Sequence, residues 1–264
     1  MRNIKLTLAY DGTDFKGWQI QPNVPTVQGH LVEVLCKITQ ENIWVHGAGR
    51  TDAGVHALGQ VAHFKTQSQL PPPEFQRALN SLLPATIRVL HAEEVAPEFH
   101  ARHHAIGKTY HYRIFRGRVL PPFIARYALH YPGTLNEDGM SEAAAHFIGE
   151  YDFTSFAGAA DEHEHETNGA HAPSPVRVIY ESRVTRSPAG AATDYELVYR
   201  VRGRSFLRYM VRKIAGTLLD VGRGRFQLGD IPALLAARDP AKSGATLPPH
   251  GLFMEAVEYP APRL

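Results

Sequence analysis

Polar and apolar residues alternate from Asn3 to Leu8, with Ile4, Leu6 and Leu8 on one side, which predicts a half-buried strand over residues 3–9. The period then changes. Leu31, Val34, Leu35 and Ile38 fall at i, i+3, i+4 and i+7, the apolar stripe of a helix over 27–39. The run Ile43-Trp44-Val45 predicts a strand over 43–47, and the alternation of Gln60-Val61-Ala62-His63-Phe64-Lys65 another over 60–66. Pro71-Pro72-Pro73 opens a helix over 73–83, since proline is tolerated in a first turn, and a strand over 86–95 follows.

That order, βαββαβ, is the order of a ferredoxin-like unit. A similar order recurs after residue 105. Thr109–Arg116 alternates as a strand, Ser141–Gly149 reads as a helix, and Val176–Arg186 with Tyr195–Arg204 form a strand pair. A helix over 206–220 carries Phe206, Met210, Ile214 and Leu218 on one face; a short helix near 231–238 and a strand over 252–258 close the chain. The expected class is α+β, with one half over 1–105 and the other over 106–264. Two similar halves with joined sheets would leave a cleft between them, a common place for a site.

Length and composition allow this. A chain of 264 residues can hold one large domain or two modest ones, and 20% charged with 44% hydrophobic residues is ordinary for a soluble globular protein. The single cysteine excludes an intramolecular disulfide and suits a reducing compartment. The first residues lack a signal-type apolar core, and no apolar run reaches the roughly 20 residues of a membrane span. These features point to a cytoplasmic protein. A net charge of +2 does not announce a nucleic-acid binder, but its distribution says more. Arg200, Arg202 and Arg204 alternate on one strand face, and Arg204, Arg208 and Arg212 continue at spacings of four along the helix expected next. Such a run is usually a solvated face; interleaved with Tyr and Phe it also suits a groove that tracks an RNA backbone.

Residues 157–175 differ from the rest. Asp161, Glu162, Glu164 and Glu166 mix with His163, His165 and His171, with few large apolar residues. Zinc-type spacing and cysteines are missing, so a surface loop is the expectation and no metal site is assigned.

The candidate chemistry lies in Gly47-Ala48-Gly49-Arg50-Thr51-Asp52-Ala53-Gly54-Val55-His56-Ala57. Here a glycine-punctuated turn between two strands carries one acid, Asp52, two residues from Arg50. A carboxylate on such a loop is poorly placed for a core and well placed to meet a ligand. A nearby cation favours its ionised form, as a nucleophile or general base requires. The plain alternative is an Asp that serves only as a turn former. Asp52, His56 and His63 could also belong to a metal-dependent hydrolase, although a third ligand at proper spacing is missing.

Gly49-Arg50-Thr51-Asp52-Ala53-Gly54-Val55-His56-Ala57 resembles the signature of the tRNA pseudouridine synthase A family. Further blocks match in order along nearly the whole chain: Tyr10-Asp11-Gly12-Thr13, Gly17-Trp18-Gln19, Pro97 to Arg102, Lys108 to Tyr112, Asp152 to Phe156, Met210-Val211-Arg212 with Gly216, and Gly251-Leu252-Phe253. The acidic stretch at 157–175 is where the chain departs most from that family. The resemblance implies the pseudouridine synthase fold, with two ferredoxin-like halves joined in a central mixed sheet and the active site in the cleft. It implies isomerisation of uridine to pseudouridine on the 3′ side of the tRNA anticodon stem-loop, by a homodimer, without a cofactor. Residue by residue, it implies Asp52 as the nucleophile on a flipped-out uridine, with Arg50 and Arg212 in support. Tyr110 would stack on the uracil and Leu252 pack beneath it or beneath that ring. Phe99, His100, Arg204 and Arg208 would bind RNA. Two other readings stay open: a pseudouridine synthase acting on another RNA, and a non-catalytic RNA-binding module.

Overall fold

A computed structural model of the chain describes residues 1–158, 174–189 and 194–261. Most of the acidic, histidine-bearing stretch of the sequence, including His163, His165 and His171, lies outside the described residues. The chain divides into two compact units, one of residues 1–109 with 252–264 and one of residues 110–251.

In the first unit the expected βαββαβ order is present: β1 (Arg2–Tyr10), α1 (Val27–Thr39), β2 (Val45–Gly47), β3 (His56–Thr66), α2 (Pro72–Leu82) and β4 (Ile87–Val95). Strand β1 is central, antiparallel to β3 on one side and β4 on the other, with Leu6 opposite Ala62 and Ala92. Ile4, Leu6 and Leu8 are fully buried, as their alternation requires. Helix α1 is capped by Thr26, whose side chain accepts from the Gly29 N–H, and it buries Val27, Leu31, Val34 and Leu35. Strand β2 pairs with the far end of β3, Val45 opposite Phe64. The near end of β3 is met by a late arrival, β10 (Leu252–Glu258), in parallel at Phe253–His56 and Met254–Ala57.

The second unit takes most of β5 (Gly107–Phe115), then β6 (Leu129–His130), α3 (Glu137–Ala145), β7 (Gly149–Asp152), β8 (Val176–Pro188), β9 (Tyr195–Gly203), α4 (Met210–Gly222) and α5 (Asp230–Ala237). Strands β7, β8 and β9 form an antiparallel ladder, with Val184 opposite Tyr199. Strand β6 lies parallel on β5.

Two expectations are corrected here. Helix α3 starts four residues earlier than the apolar pattern suggests, because the Asn136 side chain caps it by accepting from the Gly139 N–H and Glu137 and Asp138 fill its first turn. Helix α4 starts at Met210, not near 206. Arg204 and Arg208 therefore precede it, β9 ends at Gly203, and only Arg212 is helical. The arginine run is no continuous stripe. Arg200 makes an ion pair with Glu181 at 2.9 Å, and Arg202 lies over the Tyr180 ring at 5.0 Å. Among the described residues no helix is long and apolar enough to cross a membrane.

Candidate active site

The glycine-rich segment forms the connection from β2 to β3, and every side of it is tied down. At its entrance the Ala48 N–H donates to the Val61 carbonyl (2.7 Å) and Lys108 Nζ donates to the Ala48 carbonyl (2.6 Å). Gln60, fully buried, donates from Nε2 to the Gly49 carbonyl at 2.8 Å. The buried Tyr10 hydroxyl bonds Thr51 Oγ1 at 2.8 Å, and burial pushes its pKa up to about 12, so it remains a neutral hydrogen-bonding group. The Trp18 N–H donates to the Thr51 carbonyl (3.0 Å), and the Val55 N–H closes the turn on the Asp52 carbonyl (3.1 Å). Asp52 itself is half-buried and Arg50 exposed. A carboxylate on backbone fixed from so many directions loses little entropy when it meets a ligand.

Two glycines allow this close approach. Gly12 faces the Val55 carbonyl so tightly that a Cβ there would collide with it, and Gly17, at φ +92°, has no room for a Cβ, which would lie 2.6 Å from the Thr51 carbonyl oxygen. The opening segment, Tyr10 to Trp18, thus clamps the outer face of the Asp52 loop.

The histidines beside the loop serve the backbone. The Gly12 N–H donates to His56 Nδ1 at 3.0 Å, Asp11 Oδ1 lies 3.1 Å from the same nitrogen, and the ring stacks on Phe253. The Ala101 N–H donates to His63 Nδ1 at 3.2 Å. Among the described residues no three His, Cys, Asp or Glu side chains are placed to hold a metal ion. Asp52, His56 and His63 therefore assemble no ligand set of the kind a metal-dependent hydrolase needs.

His63 belongs instead to an imidazole cluster. Its ring stacks on His46, its cross-strand neighbour, at 5.0 Å, and His100 lies 4.7 Å from His63, 5.2 Å from His46 and 4.1 Å from His103. Burial, then the mutual repulsion of these rings and Lys65, pushes His63 down to about 4; burial, then its histidine neighbours and Arg102, does the same to His100. Both stay neutral in the folded protein through a range where unfolded histidine, near 6.5, takes up a proton. Stability contributed by these groups is thus present above pH ~6.5 and is lost as pH falls toward 4. We expect the melting temperature to drop on the order of a few °C between pH 7 and pH 5. His63→Gln should reduce that drop, and an equal drop in wild type and variant would assign the acid sensitivity elsewhere.

Phe99 is partly buried and packs against the cluster of Ala48, Val61 and Ala101 together with Tyr259, beside the start of the Asp52 loop. Leu252 is buried at the head of β10.

In the second unit, Tyr110 is buried with its ring edge-on to Phe206 at 5.1 Å. Arg212, in the first turn of α4, donates from Nε to the Leu247 carbonyl at 2.7 Å. Its guanidinium and that of Arg208 both lie over the Tyr209 ring, at 4.9 and 4.6 Å. Arg204 is exposed. The Asp152-Phe153-Thr154-Ser155-Phe156 block is scaffold. Asp152 accepts from Thr154, Ser155 Oγ donates to the Leu234 carbonyl and accepts from the Asp239 N–H, and both phenylalanines are fully buried.

The sequence-derived candidates thus divide between the units: Arg50, Asp52, Phe99, His100 and Leu252 in the first, Tyr110, Arg204, Arg208 and Arg212 in the second. Sequence reasoning gave no role to Tyr10, Gly12, Trp18, Gln60 or Lys108, the residues that hold the loop. Four of these stand in matched blocks, the signal that could have found them; Gln60 had only its place in a strand.

With that geometry in view, comparison with known proteins is direct. The chain matches the tRNA pseudouridine synthase family over residues 7–104 and 143–260. It is similar to the tRNA pseudouridine synthase A of Solibacter usitatus, 46% identical over 259 residues, which is 98% of this chain and 100% of that one. The corresponding proteins of Caldicellulosiruptor saccharolyticus and Bacillus pumilus are each 44% identical, over 98% and 97% of this chain and 100% and 98% of theirs. The chain belongs to the tRNA pseudouridine synthase family, a family of isomerases.

Proposed function

We propose that this protein isomerises uridine to pseudouridine in tRNA, with Asp52 as the nucleophile. The observation that carries the reading is the Asp52 loop, a lone acid on a backbone fixed by Tyr10, Trp18, Gln60 and Lys108. The reaction breaks the bond from ribose to the uracil nitrogen, turns the base and rejoins it through carbon. The proton on that carbon is lost and the nitrogen gains one, so no electrons are exchanged and no cofactor is required. A positioned carboxylate can begin it by attack on the sugar, as in retaining glycosidases, by addition to the base, or by taking a sugar proton.

The uridine must first leave its stack, which costs a few kcal/mol. Arg50, exposed on the same loop, is suited to fill the vacated space or bond phosphate. Family membership supports Tyr110 and Leu252 as contacts of the extruded base, Arg212 as a supporting cation, and a cytoplasmic homodimer acting on the 3′ side of the anticodon stem-loop. Phe99, His100, Arg204 and Arg208 complete the proposed RNA contacts. Replacing Arg204 or Arg208 by Ala should weaken all tRNAs about equally and lower the slope of log affinity against log salt by ~0.7–0.9 each. Altered site preference at unchanged salt slope would mean that they read bases.

The decisive experiment maps pseudouridine in RNA from cells with and without the protein. Loss from tRNA anticodon stem-loops alone supports the reading; loss only from another RNA favours a synthase of different substrate; no loss refutes catalysis.

A further inference from the structure

We propose that Tyr209 is a positioning residue, which uses a strained backbone to hold the guanidiniums of Arg208 and Arg212 in their working directions. The inference rests on the reading above, in which Arg212 supports the chemistry and Arg208 contacts phosphate, and it assigns a function to a residue that this reading leaves unused.

Four non-glycine residues have positive φ among those described: Asn23, Gln40, Tyr209 and Arg238. Gln40 and Arg238 end helices, where left-handed backbone is common, and asparagine tolerates it. Tyr209 has neither excuse. It stands at the start of α4 with φ 62° and ψ −3°, and its side chain makes no capping bond there. For a bulky residue such backbone is strained and persists only where the surroundings impose it.

The surroundings are specific. The Arg208 Cζ lies 4.6 Å and the Arg212 Cζ 4.9 Å from the same ring centroid, and Arg208 Nη2 donates to the Tyr209 hydroxyl at 2.9 Å. The ring also packs against Gly158, where any Cβ would collide with it, and the Gly158 N–H donates to the Arg208 carbonyl at 2.9 Å. Arg212 is held through Nε at the Leu247 carbonyl, and the ring lies against its guanidinium. Two like charges are thereby gathered around one aromatic ring, whose quadrupole stabilises both. A helical Tyr209 would relieve the strain and change the direction from which the ring meets both cations. The preserved strain is what a preorganised cation pair needs.

Tyr209→Asn separates this role from a structural one, because asparagine accepts the left-handed backbone without the ring. Tyr209→Phe keeps the ring and loses only the hydroxyl. Melting temperature, tRNA affinity and single-turnover rate are measured for both, and for each combined with Arg212→Ala. We expect Tyr209→Asn to melt at or above wild type, with a rate lower by about tenfold and affinity by a few-fold, and Tyr209→Phe to stay within about threefold. In the Arg212→Ala background, Tyr209→Asn should lower the rate much less than tenfold, as residues acting together are non-additive. A wild-type rate for Tyr209→Asn while Arg212→Ala is impaired would overturn the inference alone. A collapsed melting temperature for Tyr209→Asn would also overturn it, in favour of a structural role. Full activity of Arg212→Ala would overturn the supporting role of Arg212 and the inference with it.

Discussion

Asp52→Asn should reduce isomerisation by at least ~10³-fold while leaving tRNA affinity within about threefold of wild type. The amide has nearly the shape of the acid, and the anchors of the loop are backbone carbonyls and N–H groups together with Thr51 Oγ1, none of which the substitution alters. The fold should therefore survive, with a melting temperature within a few °C. The capacity to attack or accept a proton is removed. Single-turnover assays on purified tRNA, with binding measured beside them, check this. Appreciable turnover by the variant would remove Asp52 as the nucleophile.

Gly12→Ala should be nearly as damaging for a different reason. The added Cβ runs into the Val55 carbonyl, which is backbone and cannot swing aside like a side chain. Either β1's following turn or the end of the Asp52 loop must move, at a cost of about 1–3 kcal/mol in stability. A shift on the order of 1 Å at a reacting carboxylate costs about 10²-fold in rate. We expect the variant to fold with a lowered melting temperature and to retain at most ~1% of the single-turnover rate. Wild-type activity in this variant would show that the clamp on the outer face of the loop is dispensable.

These two predictions differ in how far the sequence reaches. Asp52 announces itself: a lone acid among glycines between two strands. The first six elements were legible for a similar reason, since Ile4, Leu6 and Leu8 alternate and Leu31, Val34 and Leu35 keep helical spacing, all with buried side chains. The clamp was not legible, because Tyr10 reaches Thr51 only through the register that sets Tyr10 opposite Ala57, and pairing registers are not written in local pattern. The start of α4 was misread because Phe206 keeps helical spacing with Met210, Ile214 and Leu218. Phe206 instead packs on Tyr110 before the helix begins, and the left-handed Tyr209 separates the two. The arginines misled in the same way. Their spacing is regular, but Arg200 is neutralised by Glu181, a partner 19 residues earlier on the adjacent strand.

The return of β10 to β3 has a consequence for how the molecule is made. On the ribosome, residues 1–109 emerge well before Leu252, and until then the His56–Ala57 end of β3 lacks the strand that will cover it. A nascent chain at that stage presents unpaired backbone right after the Asp52 loop, the kind of edge that recruits other strands. Met254, which pairs with Ala57 and places its methyl group against Gly49, is synthesised long after both. The loop that bears the acid is therefore completed only once β10 has emerged, and a ribosome stalled short of residue 252 holds a chain whose Asp52 loop is written but not yet built.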